Sequence, residues 1–339
     1  MQTFAVSKKE ILPGAAARKI FGLIKSEMGL VELEFERQAR SNIQVIDYLG
    51  DYLRDSGGKR VRPALLILSN FAVGGLGSAD NVIRLAAVME MLHTATLVHD
   101  DIIDNADLRR NRASINARFG NQTAVLMGDW LYMSAFEASL SERSLNILDI
   151  LTRLTRKMTE GELIQLTKIG DVDITREEYY DILRRKTAYL FSSCCEIGAI
   201  LAGASLERQE ALRAFGMNLG IAFQLADDLL DFTSDKNSLG KAAGTDLLEG
   251  KLTLPLILLA EKRPEIKHLL EEIMFAGEYF GDSRQTLKEL FEIEGIEAAI
   301  RETAISYSDS ARKSLDVLPK TEYLSALDSI SGYVIARSN

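Results

Sequence analysis

The feature that most constrains this chain is an apolar stretch that ends in three aspartates, within His93-Thr-Ala-Thr-Leu-Val-His-Asp-Asp-Ile-Ile-Asp-Asn-Ala-Asp-Leu-Arg-Arg110. In a helix, Asp100 and Asp104 lie one turn apart on one face, and Asp101 points about 100° away. An isolated motif of this kind is typical of a solvated acidic turn. Here apolar residues precede the acids on the same face, and buried carboxylates are costly unless they are paired or bind a metal. The stretch therefore predicts a cation site.

The same pattern returns 127 residues later (227 − 100), in Phe223-Gln-Leu-Ala-Asp-Asp-Leu-Leu-Asp-Phe232. Its acids are Asp227, Asp228 and Asp231. Two such helix faces can approach one cavity from opposite sides. Mg²⁺ suits this arrangement because it binds carboxylates while it shares its other positions with water and substrate phosphates. The predicted ligand is a diphosphate held by Mg²⁺ between the two helices.

Helical periodicity runs through most of the chain. Apolar residues recur at helical spacing, strand-like alternation is not sustained, and the 339 residues include only five prolines. This predicts an all-α protein. The length allows one large domain or two smaller ones, and we favour a single domain over 1–339. Near the start, helices are expected over Ala15–Met28 and Val31–Tyr48, separated at Gly29, and the last third is expected to be helical scaffold.

Composition limits the binding partners and the cellular compartment that we expect for this protein. A net charge of −9 without a basic arm or stripe argues against nucleic acid. Met1–Pro13 does not resemble a signal peptide, and no apolar run approaches the roughly 18–20 residues needed to cross a bilayer. We expect a cytoplasmic protein. Cys194 and Cys195 are expected to be small buried hydrophobes rather than a disulfide or metal site.

A basic turn precedes the first apolar helix, in Ser56-Gly-Gly-Lys-Arg-Val-Arg-Pro63. Glycines let the backbone approach an anion closely, and Lys59 and Arg62 can clamp a phosphate. The order of residues excludes a P-loop. Alone, this turn is typical of a solvated helix start; beside two acidic faces it predicts a second diphosphate site. His93, two turns before Asp100, is either a core histidine or a phosphate contact.

Further cations lie close to the acids in sequence. Arg109 and Arg110 follow the first motif, where they can pair with surface aspartates or, as we prefer, neutralise diphosphate oxygens. Lys186 stands before an apolar segment, where a snorkelling lysine is the ordinary interpretation. The stretch Leu239–Lys251, with Lys241 and Lys251, is typical of a mobile loop that closes over an anion.

Together these motifs resemble the trans-isoprenyl diphosphate synthases, and most closely the long-chain polyprenyl (octaprenyl-like) diphosphate synthases. The resemblance covers most of the chain between Gly57 and Lys251. It rests on GGKRVRP, HDDIIDNADLRR, KTAYLF, FQLADDLLDF and the loop with GK, GTD and GK. The family usually has glycine where this chain has Asn111; asparagine tolerates left-handed backbone, so we expect the turn to survive.

The resemblance implies a bundle of mostly antiparallel helices around a deep cavity, and a homodimer. It implies repeated head-to-tail condensation of isopentenyl diphosphate with an allylic diphosphate, with quinone side chains as the expected destination and product release near a membrane. Three alternatives remain open: a farnesyl or geranylgeranyl synthase, a class I terpene cyclase, and a non-catalytic partner subunit or scaffold. A cyclase has no use for a second diphosphate site, and a non-catalytic chain need not keep metal ligands.

The resemblance also assigns roles to residues. About three Mg²⁺ ions per site would be held on the allylic diphosphate by the acids. The direct metal ligands are Asp100, Asp104 and Asp227, with Asp101, Asp228 and Asp231 in support. The cations on the allylic diphosphate are Arg109, Lys186 and Lys241, and the oxygens facing an allylic cation belong to Thr187 and Gln224. The residues that hold isopentenyl diphosphate are Lys59, Arg62, His93 and Arg110, and Lys251 is a further substrate contact.

Chain length is predicted from the turns that precede Asp100. A growing chain tethered there must run along that helix, and short-chain members of the resembled family commonly carry bulky aromatic residues about one turn back. This chain has Ala95 and Thr96 at those positions. The floor is therefore expected deeper, near Leu92 or Met89, and the product beyond farnesyl length.

Overall fold

The protein is described by a computed structural model that covers residues 14–55, 57–58, 60–110, 112–233 and 244–336. The first nine helices are α1 (Gly14–Leu23), α2 (Lys25–Ala39), α3 (Gln44–Asp55), α4 (Val61–Ala72), α5 (Asp80–Ile103), α6 (Ile115–Phe119), α7 (Asn121–Leu140), α8 (Leu145–Thr167) and α9 (Arg176–Leu183). The remaining helices are α10 (Tyr189–Leu201), α11 (Leu206–Thr233), α12 (Thr245–Leu248), α13 (Leu254–Lys262), α14 (Lys267–Ala276), α15 (Ser283–Ile293), α16 (Ile296–Ser314) and α17 (Glu322–Ala336). Short 3₁₀ turns cover Pro264–Ile266 and Leu315–Val317.

Helix α5 lies at the centre of the bundle and carries the first acidic motif at its C-terminal end. Every residue from Leu85 to Leu92 is buried, so this segment is surrounded by protein on all sides. Neighbours α2, α4, α7 and α10 pack around it. By length and composition alone α5 is the one helix in the described ranges that could cross a membrane, and most of it is buried within the protein.

Helix α11 carries the second acidic motif and joins two hydrophobic cores. One face contributes Phe215 and Leu219 to the core shared with α4, α5, α7 and α8. Another contributes Leu225 and Leu229 to the core shared with α9, α13 and the C-terminal helices. The C-terminal turn of α11 therefore lies between the two cores, and this places its acids opposite the end of α5.

Two irregular elements flank the site. Strands β1 (Leu108–Arg109) and β2 (Arg112–Ala113) form a small antiparallel ribbon after α5, the one sheet in the described part of the chain. Between α9 and α10 the helix widens into a π-helical turn over Arg184–Ala188. Such turns are rare and occur often at functional sites. The fold is all-α apart from the ribbon, as the sequence predicted.

The expected helix break at Gly29 is wrong. Gly29 lies inside α2; the chain bends instead at Ile24, and α2 ends at Ala39. A single glycine costs a helix interior only about 1 kcal/mol, which the packing of this helix on the core offsets. The two cysteines are free and fully buried within α10, as expected of small hydrophobes.

Candidate active site

The two acidic motifs meet at one cavity of about 360 Å³. It opens between the C-terminal ends of α5 and α11, beside the π-helical turn and the segment around α12. Carboxylates line both walls and cations lie between them. The predicted residues that line it are Asp100, Asp104, Arg109, Lys186, Thr187, Gln224, Asp227, Asp228, Asp231 and Lys251. The structure thus brings together residues that are up to 151 positions apart (251 − 100).

On the α5 wall of the cavity, burial destabilises the charged form of Asp100. Burial raises the pKa of its carboxyl to about 7; Lys186 opposes this rise, whereas Glu162 and Asp104 add to it. A carboxylate that is costly to ionise in the free protein gains most from a cation brought by a ligand. This property fits a metal ligand better than a surface acid.

Asp104 ends α5 and is held by a lysine from the far side of the cavity. Lys251 Nζ lies 2.7 Å from Asp104 Oδ1 and 2.8 Å from Glu249 Oε2. Burial works against the charge of Lys251, but the hydrogen bonds to Asp104 and Glu249 outweigh it and raise its pKa. The lysine therefore stays charged and joins the two walls.

Asp228 faces away from its neighbours in the second motif. It is 4% exposed and accepts hydrogen bonds from Tyr179 Oη at 2.5 Å and from Gln224 Nε2 at 2.8 Å. Gln224 Oε1 in turn accepts a hydrogen bond from Thr187 Oγ1 at 2.9 Å. Burial raises the pKa of Asp228 to about 7, although the two hydrogen bonds lower it. Asp227 and Asp231, one turn apart, line the same cavity.

The π-helical turn positions Lys186 against α8. Lys186 Nζ pairs with Glu162 Oε2 at 2.5 Å and donates a hydrogen bond to Gln165 Oε1. A Cβ placed on Gly161 would lie 2.6 Å from Arg185 Cβ, so glycine is needed for α8 to approach the turn this closely. The lysine is therefore a fixed part of the cavity wall.

A basic cluster lies behind the first acidic motif. The Arg62 guanidinium is buried above the Phe191 ring, 5.2 Å from its centroid, and its Nε atom has no hydrogen-bond partner among the described residues. Burial lowers the pKa of Arg62. Burial and the charges of Arg62 and Arg110 also hold the pKa of His93 well below its usual range. A guanidinium with an unsatisfied buried N–H beside a neutral histidine is suited to receive an anion.

The arginines of the ribbon complete this cluster. Arg109 pairs with buried Asp101 at 2.6 Å, so Asp101 fixes an arginine instead of facing the larger cavity. Arg110 adopts a left-handed backbone with φ of 52°. Its Nη1 would lie 2.6 Å from a Cβ placed on Gly58, so this glycine makes room for the guanidinium.

A buried ion-pair network supports the basic turn. Arg60 begins α4 with a left-handed φ of 48° and pairs with Glu32 at 2.6 Å and Glu90 at 2.8 Å. Its guanidinium also lies over the Phe35 ring, 5.3 Å from the centroid. Glu90 is 3% exposed and supplies negative charge close to Arg62 and Arg110. The network anchors the backbone that carries Arg62.

The similarity of this chain to known proteins agrees with this geometry. The polyprenyl synthetase family profile matches residues 43–293. The chain belongs to this family. It is a trans-polyprenyl diphosphate synthase, a transferase of prenyl groups. The octaprenyl diphosphate synthase of Escherichia coli strain K12 is 38% identical to this synthase over 323 residues, covering 94% of this chain and 98% of that one.

Solved structures of similar synthases share the fold. A decaprenyl diphosphate synthase from Rhodobacter capsulatus superposes with a TM-score of 0.89 at 32% identity, covering 95% of this chain and 99% of that one. A polyprenyl synthase from Caulobacter crescentus CB15, complexed with calcium and isoprenyl diphosphate, also gives 0.89, at 34% identity, covering 98% of this chain and all (100%) of that one.

A smaller cavity of about 150 Å³ adjoins the acid site of the synthase on the other side of Asp100. Thr96 lines it, together with Tyr132 of α7 and Met158 of α8. Ala95 and Leu92 are almost completely buried in the core and do not line it. Of the three predicted chain-length residues, the structure therefore brings only Thr96 to an open space next to the acids.

Other residues of the synthase site were missed by sequence reasoning. Asp246 of α12 is buried against the second motif, and burial together with Asp231 and Asp228 raises its pKa well above the usual range. In the sequence, only the position of Asp246 in the Gly-Thr-Asp segment could have indicated that it belongs to the site. Tyr179 and Glu249 gave no signal, and Glu162 and Gln165 gave a weak one, as polar residues one turn apart in an apolar helix. Lys59, Lys241 and Asn111 lie outside the described residues.

The carboxylates of the synthase site suit metal ions that also bind substrate and water, rather than ions enclosed by protein ligands alone. Within the described ranges no group of three or more His, Cys, Asp or Glu side chains is placed to hold a metal by itself. The acids stand instead on two walls of one cavity. Mg²⁺ that takes part of its shell from water and substrate phosphate needs only one or two carboxylates.

Proposed function

We propose that this synthase condenses isopentenyl diphosphate head-to-tail with an allylic diphosphate, in a Mg²⁺-dependent reaction that it repeats to make a long all-trans polyprenyl diphosphate. The observation that carries this proposal is the separation of charge in the site. Acids line two walls of one cavity, whereas the guanidinium of Arg62, whose buried Nε atom has no hydrogen-bond partner among the described residues, lies behind the first motif. One diphosphate needs metal ions between carboxylates, and the other can be bound by arginines alone.

The allylic diphosphate belongs between the acidic walls. Asp100, Asp104 and Asp227 would hold about three Mg²⁺ ions, which neutralise the charge that develops on the leaving diphosphate. Lys186 and Arg109 line the same cavity and add positive charge at its oxygens. Lys241 would act with them.

The C1–O bond of the allylic substrate then breaks, and its electron pair leaves with the diphosphate. The allylic cation left behind needs nearby oxygen atoms that do not attack it. Thr187 and Gln224 supply such oxygens at the cavity wall. Apolar residues such as Ile182 and Leu183 also line the cavity, and they help to keep water from the cation.

Isopentenyl diphosphate belongs at the basic cluster of Arg62, His93 and Arg110, with Lys59. From there its double bond attacks C1 of the cation, a carbon–carbon bond forms, and C2 of the isopentenyl unit loses a proton. The described residues offer no obvious side-chain base at this position, so the released diphosphate takes the proton. Holding the two reactants side by side supplies much of the rate.

A homodimer fits the surface of α7. Leu126, Met133 and Leu140 recur every seventh residue and are 68%, 62% and 49% exposed. A stripe of large apolar side chains at this spacing is typical of a helix that packs against another. We infer that a second copy of the chain covers it.

The direct test is incubation of the purified chain with Mg²⁺, isopentenyl diphosphate and geranyl or farnesyl diphosphate, followed by mass spectrometry of the dephosphorylated products. A ladder of polyprenols beyond farnesyl length, absent with EDTA, supports the proposal. Products formed without isopentenyl diphosphate would indicate a cyclase instead, and an inactive chain would indicate a subunit that needs a partner. Product mass would also show whether the chain is long enough for a quinone side chain.

A further inference from the structure

We propose that Tyr179 is a positioning residue for the ionisation step, acting through Asp228 and Gln224 on the oxygen of Thr187. The proposal rests on the proposed function above. Tyr179 belongs to α9, whereas Asp228 and Gln224 belong to α11 and Thr187 to the π-helical turn. Three hydrogen bonds join these residues into one chain along the wall of the cavity, which all four line.

The direction of each hydrogen bond follows from the orientation of the Gln224 amide. Asp228 accepts from Tyr179 Oη at 2.5 Å and from Gln224 Nε2 at 2.8 Å. The NH₂ group of Gln224 faces Asp228 and can only donate, so Gln224 Oε1 faces Thr187 and can only accept. Thr187 therefore donates its hydroxyl proton to Gln224 at 2.9 Å.

The orientation of the Thr187 hydroxyl determines whether it stabilises an allylic cation. Because the proton of Thr187 is engaged with Gln224, the lone pairs of its oxygen are the part left for the cavity. A cation is stabilised by lone pairs and repelled by an O–H hydrogen, so the same hydroxyl turned around would oppose ionisation. Dipoles that already point the right way cost nothing to reorganise during the reaction.

Tyr179 holds the start of this chain in place. It is 6% exposed and packs among the apolar residues of the second core, so its ring cannot swing away. Its hydroxyl fixes the plane of the Asp228 carboxylate, which otherwise has Gln224 of the same helix as its side-chain hydrogen-bond partner. Without the hydroxyl, the carboxylate can rotate, and the amide of Gln224 loses its fixed partner.

The test compares two neighbouring tyrosines. Tyr179→Phe removes the hydroxyl and leaves the ring; Tyr180→Phe is the matched control, because its ring lies 5.4 Å from that of Tyr179 but its hydroxyl is not part of the chain. We expect Tyr179→Phe to lower kcat about tenfold, with KM for both diphosphates within about twofold of wild type. Tyr180→Phe should match wild type.

A double-mutant cycle separates positioning from a general structural effect. If Tyr179 acts through Thr187, Tyr179→Phe should have little further effect in a Thr187→Val background. Losses that multiply, a rise in KM in place of the fall in kcat, or a Tyr179→Phe enzyme with wild-type kcat would overturn the inference. A wild-type enzyme without Mg²⁺-dependent condensation would instead refute the proposed function.

Folding is checked by circular dichroism and thermal unfolding of each variant. If Tyr179→Phe does not fold, p-aminophenylalanine introduced at position 179 takes its place, because its amino group can still donate to Asp228 from the same end of the ring. Turnover of this folded variant well above that of Thr187→Val supports the inference, and turnover no higher than Thr187→Val overturns it.

Discussion

Lys251 Nζ lies 2.7 Å from Asp104 Oδ1, across the cavity and 147 residues further along the chain. The lysine occupies an oxygen that the proposed mechanism gives to a metal ion. Metal binding must therefore compete with this ion pair, which also includes Glu249.

Lys251→Gln should lower the Mg²⁺ concentration that gives half-maximal activity, because the competing cation is gone. It should also lower kcat, because the diphosphate loses a positive contact. A Mg²⁺ titration at saturating substrates measures both. Lys262→Gln is the control, since Lys262 bonds the remote Glu294 backbone. A higher Mg²⁺ requirement in Lys251→Gln would contradict the competition.

Asp100→Asn and Asp227→Ala should each lower condensation by more than about 100-fold, because each removes charge from a site that binds metal ions. Neither should unfold the protein, since removing one of several repelling acids relieves strain. Activity at saturating Mg²⁺ and the circular dichroism spectrum are the two measurements. Near-normal turnover by either variant would refute the metal assignment.

Asp100 should also make the metal-free protein less stable as pH rises. Burial raises the pKa of its carboxyl from 3.8 to about 7 in the folded state, so the folded state binds more protons than the unfolded state between these values. Stability is then greatest below about pH 4 for this group and falls up to about pH 7. Thermal unfolding in EDTA at pH 5 and pH 8 should show a smaller fall for Asp100→Asn than for wild type. Equal falls would exclude the raised pKa.

Arg62→Gln should raise the KM for isopentenyl diphosphate and leave the KM for the allylic primer unchanged. A charge-assisted contact is worth roughly 1.5–3 kcal/mol, or about 10- to 100-fold in binding. Lys59→Ala is expected to behave likewise. Arg312→Gln is the control, because Arg312 pairs with Asp328 at 2.7 Å in the C-terminal helices. A rise confined to the primer would reverse the assignment of the two sites.

Thr96→Phe should shorten the product to farnesyl or geranylgeranyl length without loss of catalysis. Its side chain would fill the smaller cavity beside Asp100, where space exists. Ala95→Phe should differ, because Ala95 has no exposed surface and a larger side chain there overpacks the core. Chromatography of the dephosphorylated products and thermal unfolding distinguish the two. Long products from folded, active Thr96→Phe would show that the chain grows by another route.

Met133→Glu should convert the proposed homodimer into monomers, because a charge at the centre of the α7 stripe is costly to bury. Sedimentation analysis of this variant and of wild type measures the change. Glu137→Gln on the same helix, where the residue is exposed and already polar, serves as the control. A wild-type protein that sediments as a monomer would exclude the proposed interface.

Sequence patterns were informative where a single helix determines the outcome. The spacing of Asp100 and Asp104, or of Asp227 and Asp231, fixes a shared face before any tertiary contact forms. The cap before Arg176 is likewise local: the Thr175 hydroxyl oxygen accepts from the Glu178 backbone N–H, and the Glu178 carboxylate accepts from the Thr175 backbone N–H.

Features that depend on packing between helices could not be predicted from the spacing of residues along the sequence. Tyr179 gains its partner only because α9 packs beside α11, and Asp246 is buried only after α12 folds against the second motif. Ala95 and Thr96 look equivalent in the sequence, yet neighbouring helices close over one and leave a cavity beside the other. Burial of this kind is set by the whole bundle.

The π-helical turn limits where residues can be inserted into this enzyme or deleted from it. Loops such as the one after α7 can gain or lose residues with little effect, since nothing downstream depends on their register. One residue deleted from Arg184–Ala188 could restore a regular helix, but it would rotate one flank relative to the other by about 100°. Tyr179 and Thr187 could then no longer both face α11. Length variants among natural or engineered descendants should therefore spare this turn.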